Sequence, residues 1–178
     1  MRKYILLIQL FLLALISNGQ DSTSFNLGVG NNKGWTKGIT SGRLEVGLQK
    51  SFYYGLGLSR VAYSFDGSGI AAVGYYAMGE FTPTDNIYGL KIGTEINAMG
   101  LGLGIDLKYL KNHSDKDFIV PPKIGIGGAG FLILLYGYNI STNNYPFQQI
   151  GRHQISLVCN INKSILTGKN YSYKNAYR

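Results

Sequence analysis

Ile87–Leu110 reads IYGLKIGTEINAMGLGLGIDLKYL. Tyr88, Leu90, Ile92, Thr94 and Ile96 alternate with Gly89, Lys91, Gly93, Glu95 and Asn97. After Met99-Gly100 the alternation resumes, with Leu101, Leu103, Ile105, Leu107 and Tyr109 against Gly102, Gly104, Asp106 and Lys108. A period of two is the strand period. What fills the second face decides the kind of strand. A half-buried strand of a soluble protein carries Lys, Glu, Thr and Ser on its wet side, whereas here that side is largely glycine. Strands aliphatic on one side and small or sparsely polar on the other suit a closed barrel in lipid, aliphatic face outward. The same alternation recurs in LGVG (27–30), LEVGLQ (44–49), GLGLS (55–59) and KIGIGG (123–128).

Composition agrees. The chain has 178 residues, enough for one domain. Charged residues make up 15%, against roughly 25% in ordinary soluble proteins, too few to cover a soluble globule. Glycine, at 25 residues, is about twice its usual share of roughly 7% and argues against helices. The formal net charge is +8, but the 17 Lys and Arg are scattered singly. With no basic stripe, nucleic acid is not an expected partner.

Met1–Gly19 has the layout of a secretory signal: a charged start at Arg2 and Lys3, an apolar run from Ile5 to Ser17, and small residues at Ser17 and Gly19 before a cut at Gln20. The apolar run is short for a membrane-spanning helix, which needs about 20 residues. No second such run follows, which excludes a helical membrane protein. Cys159 is the single cysteine, so no internal disulfide is possible. The expected organisation is a signal peptide over 1–19, a barrel over 20–162 and a basic tail over 163–178.

Eight strands are expected, near Ser24–Gly30, Gly42–Lys50, Phe52–Phe65, Ile70–Phe81, Ile87–Ala98, Gly100–Leu110, Pro122–Ile140 and His153–Asn162. The third changes phase after Leu58, from Tyr54, Leu56 and Leu58 to Val61, Tyr63 and Phe65. A bulge at Ser59-Arg60 or emergence from the membrane would account for it. The seventh is apolar on both faces between Phe131 and Leu135, and Gly127–Gly130 reads as a kink within it. Aromatic residues gather near strand ends (Phe52, Tyr53, Tyr54, Tyr63, Phe65, Tyr88, Tyr109, Tyr136, Tyr138), as in interfacial girdles. Asn31–Thr40 and Ser141–Gly151 suit outer loops and Lys50-Ser51 a short inner turn. Two joins fit poorly: Ala98–Gly100 is short for an outer loop, and Lys111–Asp117 is long for an inner one.

These features together resemble the small outer-membrane β-barrel proteins of diderm bacteria, usually of about eight strands. The resemblance rests on the signal peptide, the Gly/Leu strands and the segments KIGIGG, LLYGYNIS and HQISLVCNIN. It implies an all-β, antiparallel, up-and-down transmembrane barrel, monomeric, exported to the outer membrane, with outer-membrane lipid and the assembly machinery as partners. One departure is plain. Such barrels usually end on an aromatic residue closing the last strand, whereas here the basic tail Lys163–Arg178 follows.

The inward phase carries Arg43, Glu45, Lys91, Glu95, Asp106 and Lys108, with Lys123 joining them. An eight-stranded lumen is only wide enough for side chains to fill, and buried charges must be paired. These residues are therefore expected to form a plugging ion-pair network, Asp106 with Lys108 and Glu95 with Lys91. The alternative is a narrow ion or small-solute pore. A second alternative is a secreted, lipocalin-like lipid-binding barrel with its aliphatic face inward. Catalysis is not expected. His153 and Ser156 are three apart on a strand and point to opposite faces, and His113-Ser114 sits in a polar loop. The GxG repeats lie inside strands rather than at a strand-to-helix turn, so they are not nucleotide loops. No cofactor and no metal are expected, two histidines and one cysteine being a poor donor set. Trp35, between Lys33 and Lys37, is a candidate contact for an external partner or an anchor in the headgroup layer.

Overall fold

The structure, a computed structural model, describes residues 38–66, 69–128 and 131–161. The expectations that fall on the signal peptide, on a strand at 24–30, on Trp35 and on the tail lie outside the described residues. Apart from one 3₁₀ turn, Pro83–Asp85, the regular elements are strands: β1 Ile39–Asp66, β2 Gly69–Thr82, β3 Ile87–Ala98, β4 Leu101–Lys111, β5 Lys116–Val120, β6 Pro122–Gly128, β7 Leu132–Tyr138, β8 Ile140–Ser141 and β9 Ile150–Ile161.

They close into one antiparallel barrel of eight staves. β1 supplies two of these. Its first part pairs with β9 from Gly42 to Lys50, and its second part pairs with β2 from Tyr54 to Asp66. A ring in which every neighbour is antiparallel needs an even number of staves, so β1 must reverse between the two parts. Lys50, at φ 72°, sits at the reversal. Across the fold of β1, Tyr53 Oη donates to Glu45 Oε1 at 2.7 Å. β2–β3–β4 continue as a meander. The next stave is β5 plus β6, both paired to β4. Pro121 interrupts it, but its carbonyl still accepts from Asp106 N–H at 3.2 Å, so the ladder is kept across the break. β7 with β8 forms the next stave, and β7 then pairs with β9 to close the ring.

Three expectations are corrected. The long seventh strand is a hairpin: β6 and β7 pair antiparallel, Gly128 opposite Leu132, with Phe131 N–H donating to the Gly128 carbonyl at 2.8 Å. The glycines at 127–128 therefore lead into a turn rather than kink one strand. The stretch is apolar on both faces because Ile133 and Leu135 face the lumen while Leu132 and Leu134 face outward. Second, β1 has no bulge at Ser59-Arg60. Its register with β2 is unbroken from Tyr54 to Asp66. Val61 and Tyr63 stay on the inner face, where they pack with Ala72 and Ile39. Third, of the girdle aromatics, Tyr53 and Tyr63 are inside the barrel, fully buried.

The β6–β7 hairpin changes which joins share an end. One rim carries the reversal at Lys50, the turn Pro83–Asn86, the join 112–115 and the loop 142–149. The opposite rim carries both ends of the described barrel and the short joins after Asp66, Ala98 and Gly128. The longer joins thus gather at one rim. Ala98–Gly100 falls among the short turns and Lys111–Asp117 among the longer loops, so neither is a misfit any longer. The described end of Asn31–Thr40 lies at the short-turn rim, across the barrel from 142–149. Lys50-Ser51, expected as an inner turn, lies at the same rim as 142–149.

The distribution of apolar side chains is inverted relative to a soluble protein. Among the described residues twenty-nine large hydrophobic side chains are exposed, against thirteen buried ones besides Ala72. Leu44, Leu56, Val73, Leu90, Leu103, Ile126, Leu134 and Leu157 point outward from the eight staves. Between the two rims, Arg60 is the charged side chain on the outer face among the described residues. It runs toward Gly38 at the short-turn rim, where a Cβ on Gly38 would sit 2.8 Å from Arg60 Nε. Eight outward aromatics lie toward the loop rim, Phe52, Tyr54, Phe81, Tyr88, Tyr109, Phe118, Tyr136 and Tyr138, while Tyr75 is in the middle of β2 and Phe131 is at the opposite rim. Phe81 stacks on Tyr88 with centroids 4.9 Å apart, and Tyr109 meets Phe118 at the same separation.

Candidate functional site

Inside the barrel each stave presents every second residue to the axis. This brings Arg43, Glu45, Lys91, Glu95, Asp106, Lys108 and Lys123 into the lumen, all buried. Glu80 of β2 joins them. The belt therefore holds four cations (Arg43, Lys91, Lys108, Lys123) and four carboxylates (Glu45, Glu80, Glu95, Asp106), with no net charge.

The partners differ from those expected along single strands. Arg43 makes a bidentate contact with Glu95 at 2.8 and 2.9 Å. Lys91 bridges Glu45 at 2.7 Å and Glu80 at 3.3 Å. Lys108 meets Glu80 at 3.1 Å. Lys123 meets Asp106 at 2.5 Å and Glu45 at 3.6 Å. Signs alternate along Asp106–Lys123–Glu45–Lys91–Glu80–Lys108, with Arg43–Glu95 beside this chain. Residues two apart on a strand lie roughly 6.5–7 Å apart, too far for a direct ion pair without bending both side chains. Chords across a narrow lumen are shorter.

Neutral groups complete the shell. Tyr76 Oη donates to Asp106, and the Arg43 guanidinium lies 3.7 Å from the Tyr76 ring centroid. The Tyr53 ring lies within 5.0 Å of Lys108 Nζ. Gln49 Nε2 donates to Glu80 Oε1 at 3.0 Å, Gln154 Oε1 accepts from Lys108 at 2.8 Å, and Asn160 Oδ1 accepts from Ser59 at 2.8 Å. Inner-face glycines make room for the tyrosines. A Cβ on Gly47 would sit 2.4 Å from the Tyr53 ring, and one on Gly93 would sit 2.6 Å from Tyr76 and 2.5 Å from Asp106 Oδ1.

Apolar layers bound the belt. Toward the loop rim Ile87, Leu110, Ile119 and Ile150 pack around Phe147, which the 142–149 loop turns back into the lumen. That loop is tied down where Asp117 accepts from Ser141 Oγ at 2.6 Å and from Asn143 N–H at 3.2 Å. Toward the other rim lie Val61, Tyr63 and Ala72, and the group Ile133, Leu135 and Val158.

The remaining candidates do not assemble into reactive groups. Ser156 is buried in the lumen while His153 is exposed on the outer face, its Nδ1 2.6 Å from Tyr136 Oη. Ser114, beside His113, gives its backbone N–H to Asn112 Oδ1. Glu95 and Asp106 are each engaged by a separate cation. Among the described residues no three His, Cys, Asp or Glu side chains form a group that could hold a metal ion. Glu80, Tyr53 and Tyr76 are the belt residues that sequence reasoning missed. Charge balance points to the first, since the seven expected residues carry four positive and three negative charges.

No protein-family model, curated protein or solved structure matches the chain.

Proposed function

We propose that the chain is an outer-membrane β-barrel, exported by its N-terminal signal and belonging with the small barrels it resembles in sequence. In this reading it is a non-enzymatic membrane scaffold with a side-chain-filled lumen that presents its loop rim for surface interactions. The observation that carries the reading is the inverted surface: aliphatic side chains outward on every stave, with charge inside and at the rims. In water such a surface would aggregate; in lipid it is the required solvent-facing surface. A lipid-binding soluble barrel needs its aliphatic stripes inside, where this one buries nine charged side chains, the eight of the belt and Asp117. The neutral belt and the apolar layers around it favour a filled lumen over a pore.

The test is a heat-modifiability gel on fractionated cells. Folded barrels resist SDS until boiled, so a migration shift confined to the outer-membrane fraction is the expected result. An unshifted protein in the soluble fraction would remove the reading.

A further inference from the structure

On the outer face of the β4–β5 hairpin, Lys111 stands directly opposite Lys116. Both are exposed, and neither has a carboxylate within ion-pairing distance among the described residues. Like charges directly opposite on adjacent strands repel. One level toward the barrel middle on the same face, Tyr109 stands opposite Phe118, and on the other flank Tyr88 stands opposite Lys111. An open cleft of about 360 Å³ lies here, lined by Asn86, Tyr88, Lys111, Asn112 and His113. Its walls are held. Asn112 Oδ1 accepts from the backbone N–H groups of Ser114 and Asp115 at 2.9 and 2.7 Å, and Asn86 N–H donates to the Pro83 carbonyl at 3.3 Å. Lys50 and Arg152 are exposed at the same rim, which also carries Asp85 and Asp115.

We propose that Lys111, which lines this cleft, and Lys116, which stands opposite Lys111 on β5 outside the lining, bind the phosphate of a lipid headgroup between them at the edge of the cleft; this rests on the barrel reading above. An anion between the two ammonium groups converts their repulsion into two charge-assisted contacts. The site lies where a headgroup would be, just beyond the aromatic ring on the outer face. Below it Tyr88, Leu90, Leu107 and Phe118 are exposed in a patch that acyl chains would cover. A soluble anion would gain nothing from that patch, which makes the lipid the favoured source of the phosphate. Asn86, Asn112 and His113 supply further hydrogen-bonding groups around it.

The full-length protein in detergent is titrated with phosphatidic acid, and the temperature at which the fast-migrating folded band is lost is followed on gels. Phosphatidic acid is expected to raise that temperature, whereas phosphatidylcholine and inorganic phosphate at equal concentration are not. K111A/K116A is expected to need at least tenfold more phosphatidic acid, while K111R/K116R and R60A respond as the parent does. Without lipid K111A/K116A is expected to be no less stable than the parent, since it loses a repulsion. Equal responses from the parent and K111A/K116A would overturn the proposal. An equal effect of inorganic phosphate would overturn the lipid as its source. A parent with no heat-modifiable band at all would instead remove the barrel reading, before any lipid is added.

Discussion

Arg43 and Glu95 stand on staves three apart, one in the first arm of β1 and one in β3, and bond across the lumen through both guanidinium Nη atoms at 2.8 and 2.9 Å. This contact spans the barrel where no backbone ladder can. Removing one partner leaves a buried charge without compensation, which destabilises by about 3–5 kcal/mol. R43M is therefore expected to lower the unfolding midpoint in detergent sharply. R43M/E95L, which removes both charges, is expected to recover most of that loss. Equal damage from the single and the double variant would mean that packing, not charge, holds this position.

The lumen itself is expected to be electrically silent. Four cations are matched by four carboxylates, and Phe147 with its neighbours covers one side of the belt. Protein reconstituted into a planar bilayer should give a flat current trace at any polarity. Stepwise, reproducible conductance from pure protein would contradict the filled lumen and restore the pore.

Glycine on the inner face is a packing element, and its replacement separates seats from spectators. Gly93 lies under Tyr76 and Asp106, so a Cβ there must displace a ring or a charged oxygen. G93A is expected to destabilise by about 1–3 kcal/mol, the usual range for overpacking. G79A, on the outer face of β2, is the comparison, since the nearest atoms to its Cβ would be 3.9 and 4.0 Å away. Thermal midpoints of the folded band would rank the two, and a G93A as stable as G79A would show that the belt can shift to admit a methyl group.

How far the sequence was legible follows from the same residues. β3 and β4 are readable to within a residue because their two faces differ in kind, aliphatic against glycine and charge. The seven expected lumen charges could be assigned to the inner face by parity alone. Glu80 could not, because β2 alternates Val73, Tyr75 and Ala77 with Tyr76 and Met78, two faces of similar polarity. The hairpin between β6 and β7 was hidden for a related reason: Ile133 and Leu135 make the inner face as apolar as the outer one. Eight staves were expected and eight close the ring, but from a different division of the chain, with 122–140 split in two and 24–30 outside the described residues. The ion-pair partners were illegible because they are set by which inward positions face each other across the lumen, a relationship between distant staves that strand spacing does not encode.

The strongest test of the outward surface uses charge at two heights on one strand. Ile92 lies in the middle of β3 and is 55% exposed; Tyr88 lies near the loop rim of the same strand and is 60% exposed. In a bilayer an arginine at the midplane of a barrel's outer face destabilises by roughly 2–4 kcal/mol, falling to about 0–1 near the interface. I92R is thus expected to lose folded, heat-modifiable protein in lipid vesicles, while Y88R folds nearly as the parent does. In water both positions would accept arginine with little penalty, since an exposed strand surface tolerates a long charged side chain. The difference between the two variants, measured by urea titration of vesicle-inserted protein, reports the depth of the apolar environment and not simply its presence. Equal tolerance at the two positions would place the middle of β3 in water, and the barrel with it.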